Sequence, residues 1–340
     1  MGCSMAMTDT QKQPAPPRLI PALVAGFDAI ANHIYLIIFP LGLDVLIWLA
    51  PHLRLKSLIE ALIAQMASFS VNEAPELTNM VEIGNEVWLQ MAERLNLLMV
   101  LRSYPVGIPS LMASAGTMET PLGMPKMLEV PSAGYAFLLF MLLFVVGLVI
   151  GSFYYLIVSQ VAIEGDFHWR EAFLNWPRAC MQVFLLTLIW VGLFFLVNIP
   201  ASCLVSVATL AGFSLGQLSI LLYGGFLVWL VFPLLFSAHG IFVSGMGVGA
   251  SIRSGIRMTN ATLLTTVTFI VAVILLTQGL DLLWRVPPTD SWLTLLGIAG
   301  HAFVGTGLLS ASFIYYRTAC SWISSIDRRI ESIVNPDQQS

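Results

Sequence analysis

The stretch YAFLLFMLLFVVGLVIGSFYYLIVSQV, Tyr135 to Val161, holds no charged residue and decides the fold class. A helix needs about 20 predominantly apolar residues to cross the hydrocarbon core of a bilayer, and this run is longer. A barrel strand needs only about 9–11 residues with alternating polarity, so the run reads as a helix. The same reading extends outward to Met181 to Leu210, Leu218 to Val243, Leu263 to Leu283, and Trp292 to Tyr316, the last richer in small residues. Towards the N-terminus, the apolar stretch Leu19 to Ala50 is interrupted by Asp28, Asn32 and His33. It reads as an interfacial helix followed by a span from Ile34 to Ala50. The expectation is an all-α polytopic membrane bundle of about six transmembrane helices, whose backbone groups are satisfied within each helix because no water is available in lipid.

Composition agrees. A soluble domain is about half apolar and a quarter charged, whereas this chain of 340 residues is 57% hydrophobic and 10% charged, with a mean hydropathy of +0.85. The apolar stretches leave no room for a large soluble enzyme. The net charge of −4, without a basic cluster, points away from nucleic acid. Cys3, Cys180, Cys203 and Cys320 are scattered, with no CxxC pair and no histidine spacing that suits zinc, so neither a disulfide framework nor a structural metal is expected. Met1-Gly2-Cys3 invites a lipidation reading, but Ala6 stands where a myristoylation signal has Ser or Thr. Asp28 interrupts the apolar region that a signal peptide ending at Ala29-Ile30-Ala31 requires.

Charge sets the expected orientation. Residues 1–17 are polar, end in prolines and read as a disordered tail. Lys12, Arg18, Arg170, Arg178, Arg253, Arg257, Arg317, Arg328 and Arg329 fall on one side of the six spans, while the short loops of the other side carry only Arg285. The positive-inside rule makes the first side cytoplasmic, with both termini there and 326–340 as a short cytoplasmic tail. Arg54 and Lys56 belong to a long outer segment, which that rule discounts. The chain then divides into an elbow helix with the first span (18–50), an extracytoplasmic insertion (51–133) and a bundle of five spans (134–325), placed in a bacterial cytoplasmic membrane.

An internal repeat underlies this division: a short polar-flecked helix precedes the first, third and fifth spans. In the second copy Trp169, Ala172, Phe173 and Trp176 form one face, and Glu171, Asn175, Arg178 and Gln182 the other. The third copy sets Ile252 and Ile256 beside Arg253 and Arg257, and the first offers Leu23, Phe27 and Ile30 with Asp28 and Asn32. Three copies of elbow, span, outer turn and span resemble a broad group of bacterial six-helix membrane proteins, including the membrane domain attached to some glycerophosphoryl diester phosphodiesterases. The resemblance covers about 1–50 and 134–325 and rests on the elbows Phe27 to Asn32, Phe173 to Arg178 and Ile252 to Arg257. It implies a fold and carries no catalytic residue, since the chain has no phosphodiesterase domain and inserts 51–133.

In that insertion Leu53 to Ser68 reads as an amphipathic helix, and Asn79 with Glu82 three residues on reads as the cap of a second. Tyr104 to Ser132 is rich in Pro and Gly and reads as an irregular apolar loop, expected to pack on the outer rim of the bundle or to dock a partner membrane protein or lipid. Met112, Met118, Met124 and Met127 are soft ligands of the kind that hold Cu(I), but no His or Cys accompanies them there, so no cofactor is expected. Gly245, Gly247 and Gly249 imitate a dinucleotide motif after a span rather than a strand, which excludes it, and no GxSxG, HExxH or Walker sequence occurs.

Two ionisable residues inside spans form the candidate intramembrane polar site. Asp44 is read as the one carboxylate clearly inside a span, where charge is costly and often functional. It lies seven residues short of Pro51, so the bland reading has it at the outer interface or paired with Arg54. His301 sits among Gly297, Gly300, Gly305 and Gly307, small residues that permit close helix contact. It reads as a neutral histidine bonded between helices, or as a proton-linked partner of Asp44. The functional expectation is a non-enzymatic scaffold or accessory protein in contact with the lipid bilayer, meeting a membrane-protein partner through 51–133; the alternative is a transporter or lipid-handling protein with its site near Asp44 and His301.

Overall fold

The structure, a computed structural model, describes residues 16–69, 75–114, 116, 119–210 and 216–334. In chain order the elements are α1 (Leu19–Asn32), α2 (Ile38–Leu49), β1 (His52–Arg54), α3 (Lys56–Phe69), α4 (Pro75–Arg94), β2 (Met127–Glu129), α5 (Ala133–Glu164), α6 (Trp169–Leu210), α7 (Gly216–Val231), α8 (His239–Ser244), α9 (Val248–Ala261), α10 (Leu263–Trp284) and α11 (Thr294–Val334). Among the described residues five helices are long and apolar enough to cross a membrane, and a sixth span arises if the bent pair Leu19–Asn32 and Ile34–Leu49 counts as one. The outward faces of these helices are apolar, with Leu264 79% and Leu282 76% exposed, a surface that only lipid solvates well. The chain is therefore an integral membrane protein of the multi-pass helical class.

The first elbow has the expected form. The two halves of the bent pair meet at 92°, where His33 leaves helical geometry at φ −130° and ψ 51°, and a 3-10 turn, Ile34–Ile37, starts the span. Ala22, Gly26 and Ile30, four residues apart, form the buried stripe of α1. A Cβ on Gly26 would lie 2.5 Å from the backbone nitrogen of Ala311, so this glycine is what lets α1 lie on α11. The third elbow, α9, also ends in a break, at Thr262, whose φ of −123° and ψ of 33° separate it from α10.

The second copy departs from the pattern. α6 runs unbroken from elbow into span with Pro177 inside it. Proline removes one helical hydrogen bond, and the turn around it is held from outside, because the Trp176 indole N–H donates to Val149 O at 3.2 Å and to Ser152 Oγ at 3.1 Å on α5. The fourth span is present as expected, Leu221–Ser244 being long and apolar enough to cross a membrane, with a 3-10 turn, Phe232–Leu234, inside it, where Pro233 lacks the N–H that would continue the ladder. The last helix continues past Tyr316 to Val334.

In the insertion 51–133 the second helix begins at Pro75, not at an Asn79 cap. Proline suits the first helical position, where its missing N–H is not needed. Two short strands, absent from the sequence reading, pair in parallel with Leu53 opposite Leu128. The greater surprise is depth. Val106, Ile108 and Leu111 are 0%, 2% and 0% exposed, and the first two share a core with Leu36, Leu148, Tyr154 and Ile157. Two glycines of α5 make the room: a Cβ on Gly147 would meet Leu101 O at 2.5 Å, and one on Gly151 would strike Val106 O. At about 1.5 Å per residue, Gly151 stands roughly 27 Å along α5 from its N-terminal end. The loop thus enters the bundle instead of resting on its rim, which is tolerable in a membrane only where irregular backbone is enclosed by protein.

Candidate functional site

Asp44 is completely buried on α2. Its carboxylate accepts a hydrogen bond from the Ser110 hydroxyl, from Leu111 N–H at 2.9 Å and from Met112 N–H at 3.0 Å. All three donors belong to the loop that enters the bundle, at the start of the 3-10 turn Met112–Ser114. Ser110 Oγ in turn accepts from Ala113 N–H at 3.1 Å. The expectation that Asp44 turns to the rim or pairs with Arg54 is overturned: the Arg54 guanidinium instead donates to Glu93 O at 3.1 Å. Burial of a carboxylate in lipid is costly unless its lone pairs are filled, and here backbone and hydroxyl donors fill them.

His301 is 6% exposed on α11, and its Nδ1 lies 2.7 Å from Asp281 Oδ1 on α10. Sequence reasoning missed Asp281, although it too falls inside a predicted span; the signal was its place one turn before Trp284 near the helix end. Gly297 and Gly300 bring this about. A Cβ on Gly300 would fall 2.6 Å from the Trp284 ring, so the glycine pair lets α10 and α11 close at Trp284 and carries Asp281, one turn away, to the imidazole. Gly305 does the same for the loop, since a Cβ there would lie 2.6 Å from Pro109 Cβ.

The two residues singled out in the sequence thus have separate hydrogen-bond partners, His301 on Asp281 and Asp44 on the loop residues Ser110, Leu111 and Met112. If Asp281 accepts a proton bond from Nδ1, Nε2 carries the free lone pair of the neutral ring, and that buried atom has no hydrogen-bond partner among the described residues. Asp44 is engaged in fastening the loop at 110–112.

The other sequence candidates separate. Met112 is 6% exposed in a core with Trp48 and Ile298, Met124 is 65% exposed, Met127 opens β2, and Met118 lies outside the described residues. Gly245, at φ +59°, closes α8 in the left-handed region, and Gly247 precedes α9, so the glycines form a helix-to-helix turn. No protein-family model, curated protein or solved structure matches the chain.

Proposed function

We propose that the protein is an accessory or scaffold component of a bacterial cytoplasmic membrane, with both termini cytoplasmic, that presents its outer segment to a membrane-protein partner. The observation that carries this reading is the fastening of that segment: Asp44 and the seats at Gly147, Gly151 and Gly305 hold 101–113 inside the bundle. The α3 and α4 helices are tied to each other where Lys56 Nζ donates to Glu93 at 2.9 Å, and α4 leaves Val87, Trp88 and Met91 about half exposed. Apolar side chains displayed on a fixed platform outside the bundle suit an interface better than a moving gate. The distribution of basic residues supports the orientation. The likeness to six-helix proteins with elbows supports a common architecture and no activity.

A photoreactive residue in place of Trp88, activated in intact membranes, tests the reading. A defined protein adduct is expected, with loss of the same partner on Trp88→Glu; adducts to lipid alone refute it. One observation favours the second reading, a proton-linked transporter: the buried Nε2 of His301, which has no hydrogen-bond partner among the described residues. Under that reading His301→Gln abolishes substrate flux and leaves the partner adduct intact.

A further inference from the structure

A second polar concavity lies away from the outer loop. The polar face of the second elbow, Glu171, Asn175, Arg178 and Gln182, forms one wall of a cavity of about 280 Å³, which Gln160 and Glu164 of α5 and the end of α8 at Ser244 and Gly245 complete. That volume is near the lower end of small-molecule pockets, roughly 300–1,000 Å³, so it admits a headgroup and not a whole lipid. Trp169 and Phe173, on the other face of the same elbow, are 60% and 52% exposed. Aromatic rings of this kind mark the membrane interface, so the cavity opens at the level of phospholipid headgroups.

Its chemistry is two-signed. Glu164 and Glu171 bring carboxylates and Arg178 a guanidinium, yet among the described residues no ion pair joins Arg178 to either. Gln182 Oε1 is committed to Val248 N–H at 2.8 Å, so only its amide N–H groups remain for the cavity. Gln160, 8% exposed, presents a buried Oε1 without a hydrogen-bond partner. A buried amide oxygen left unbonded is costly, and its cost disappears when a donor enters the cavity.

We infer that this cavity binds a phosphoethanolamine group, its phosphate taken by Arg178 with the amide donors of Asn175 and Gln182, and its ammonium by Glu164, Glu171 and Gln160 Oε1. A phosphate needs charge-assisted donors and an ammonium needs acceptors, and this wall supplies both within one headgroup's reach. The acidic end also includes His168: ligand atoms of Glu164, His168 and Glu171 lie within 4.8 Å of one another. A divalent cation there is disfavoured by Arg178 on the same wall and by the amides, which are suited to hydrogen bonding.

The test uses the full chain, purified in mild detergent and stripped of lipid, with binding read by native mass spectrometry and tryptophan fluorescence. Short-chain phosphatidylethanolamine is titrated beside short-chain phosphatidylglycerol, free phosphoethanolamine and Zn²⁺. Phosphatidylethanolamine is expected to bind at least about tenfold tighter than phosphatidylglycerol, the effect of charge-assisted bonds to the ammonium. Glu171→Gln should weaken it about tenfold and leave phosphatidylglycerol unchanged, whereas Arg178→Gln should weaken both. Free phosphoethanolamine binding as tightly as the lipid assigns the site to a soluble ligand; binding of the lipid alone assigns it to the membrane surface. Equal affinity for the two lipids overturns the inference, as does Zn²⁺ binding that Glu171→Gln abolishes without any phosphoethanolamine binding. The comparison of lipids on the unmutated protein stands even if a variant fails to fold.

Discussion

Asp44→Asn should release the outer loop from the bundle without unfolding the helices. The carboxylate serves three donors through two oxygens, Oδ1 accepting from Ser110 and Met112 and Oδ2 from Leu111. An asparagine keeps one oxygen, so at best two bonds survive, and its amide nitrogen is set against the Leu111 N–H, donor to donor. Loss of a hydrogen bond to a charged acceptor, with a buried donor left unsatisfied, costs about 2–3 kcal/mol. At 1.4 kcal/mol per factor of ten, local opening becomes roughly 30- to 150-fold more frequent. Hydrogen exchange by mass spectrometry reads this directly: peptides covering Leu111 and Met112 should exchange faster by that factor, while those of α5 stay protected. Asp44→Ala, which removes every acceptor, should exceed it. Unchanged exchange over 110–113 in a folded Asp44→Asn protein would refute the anchoring role and return Asp44 to the interfacial position that its nearness to Pro51 suggested.

Three further outcomes are expected. Gly147→Ala places a methyl 2.5 Å from Leu101 O, and the backbone it strikes cannot rotate away, so detergent-solubilised protein should lose about 1–3 kcal/mol and admit protease to the outer segment; Gly192→Ala, with nothing within 4 Å, should be neutral or mildly stabilising. Burial holds the His52 imidazole below its ordinary pKa, so the unfolded state takes up the proton first: this contribution to stability is complete above about pH 6.5 and falls as pH drops below it, by at most about 1.4 kcal/mol per pH unit. Thermal melts of the outer segment between pH 7.5 and 5 should show the decline, and His52→Gln should flatten it. An impermeant thiol reagent should leave an engineered Ser340→Cys unmodified in intact cells and label it after lysis; modification in intact cells reverses the proposed topology.

Much of the architecture was legible in the chain because the bilayer imposes a local, one-dimensional demand. A run such as Tyr135 to Val161 must be a spanning helix wherever its neighbours lie, and Asp28, Asn32 and His33 interrupt the apolar pattern at the place where α1 turns by 92° into its span. The glycines around His301 likewise announced close packing. Local pattern was a poorer guide to the two prolines: Pro177 is carried inside a continuous α6, whereas Pro233 sets a 3-10 turn within the fourth span. Whether a proline interrupts a helix depends on what packs against it, and for Pro177 that includes the bond from Trp176 to α5. The polar site lay further out of reach. Asp44 meets Ser110 across 66 positions of sequence, and His301 meets Asp281 across 20 positions and a helix turn-round. Hydropathy announces that a buried charge needs a partner, but the partner is chosen by which glycines allow which backbones to approach, and that choice exists only once the helices are packed.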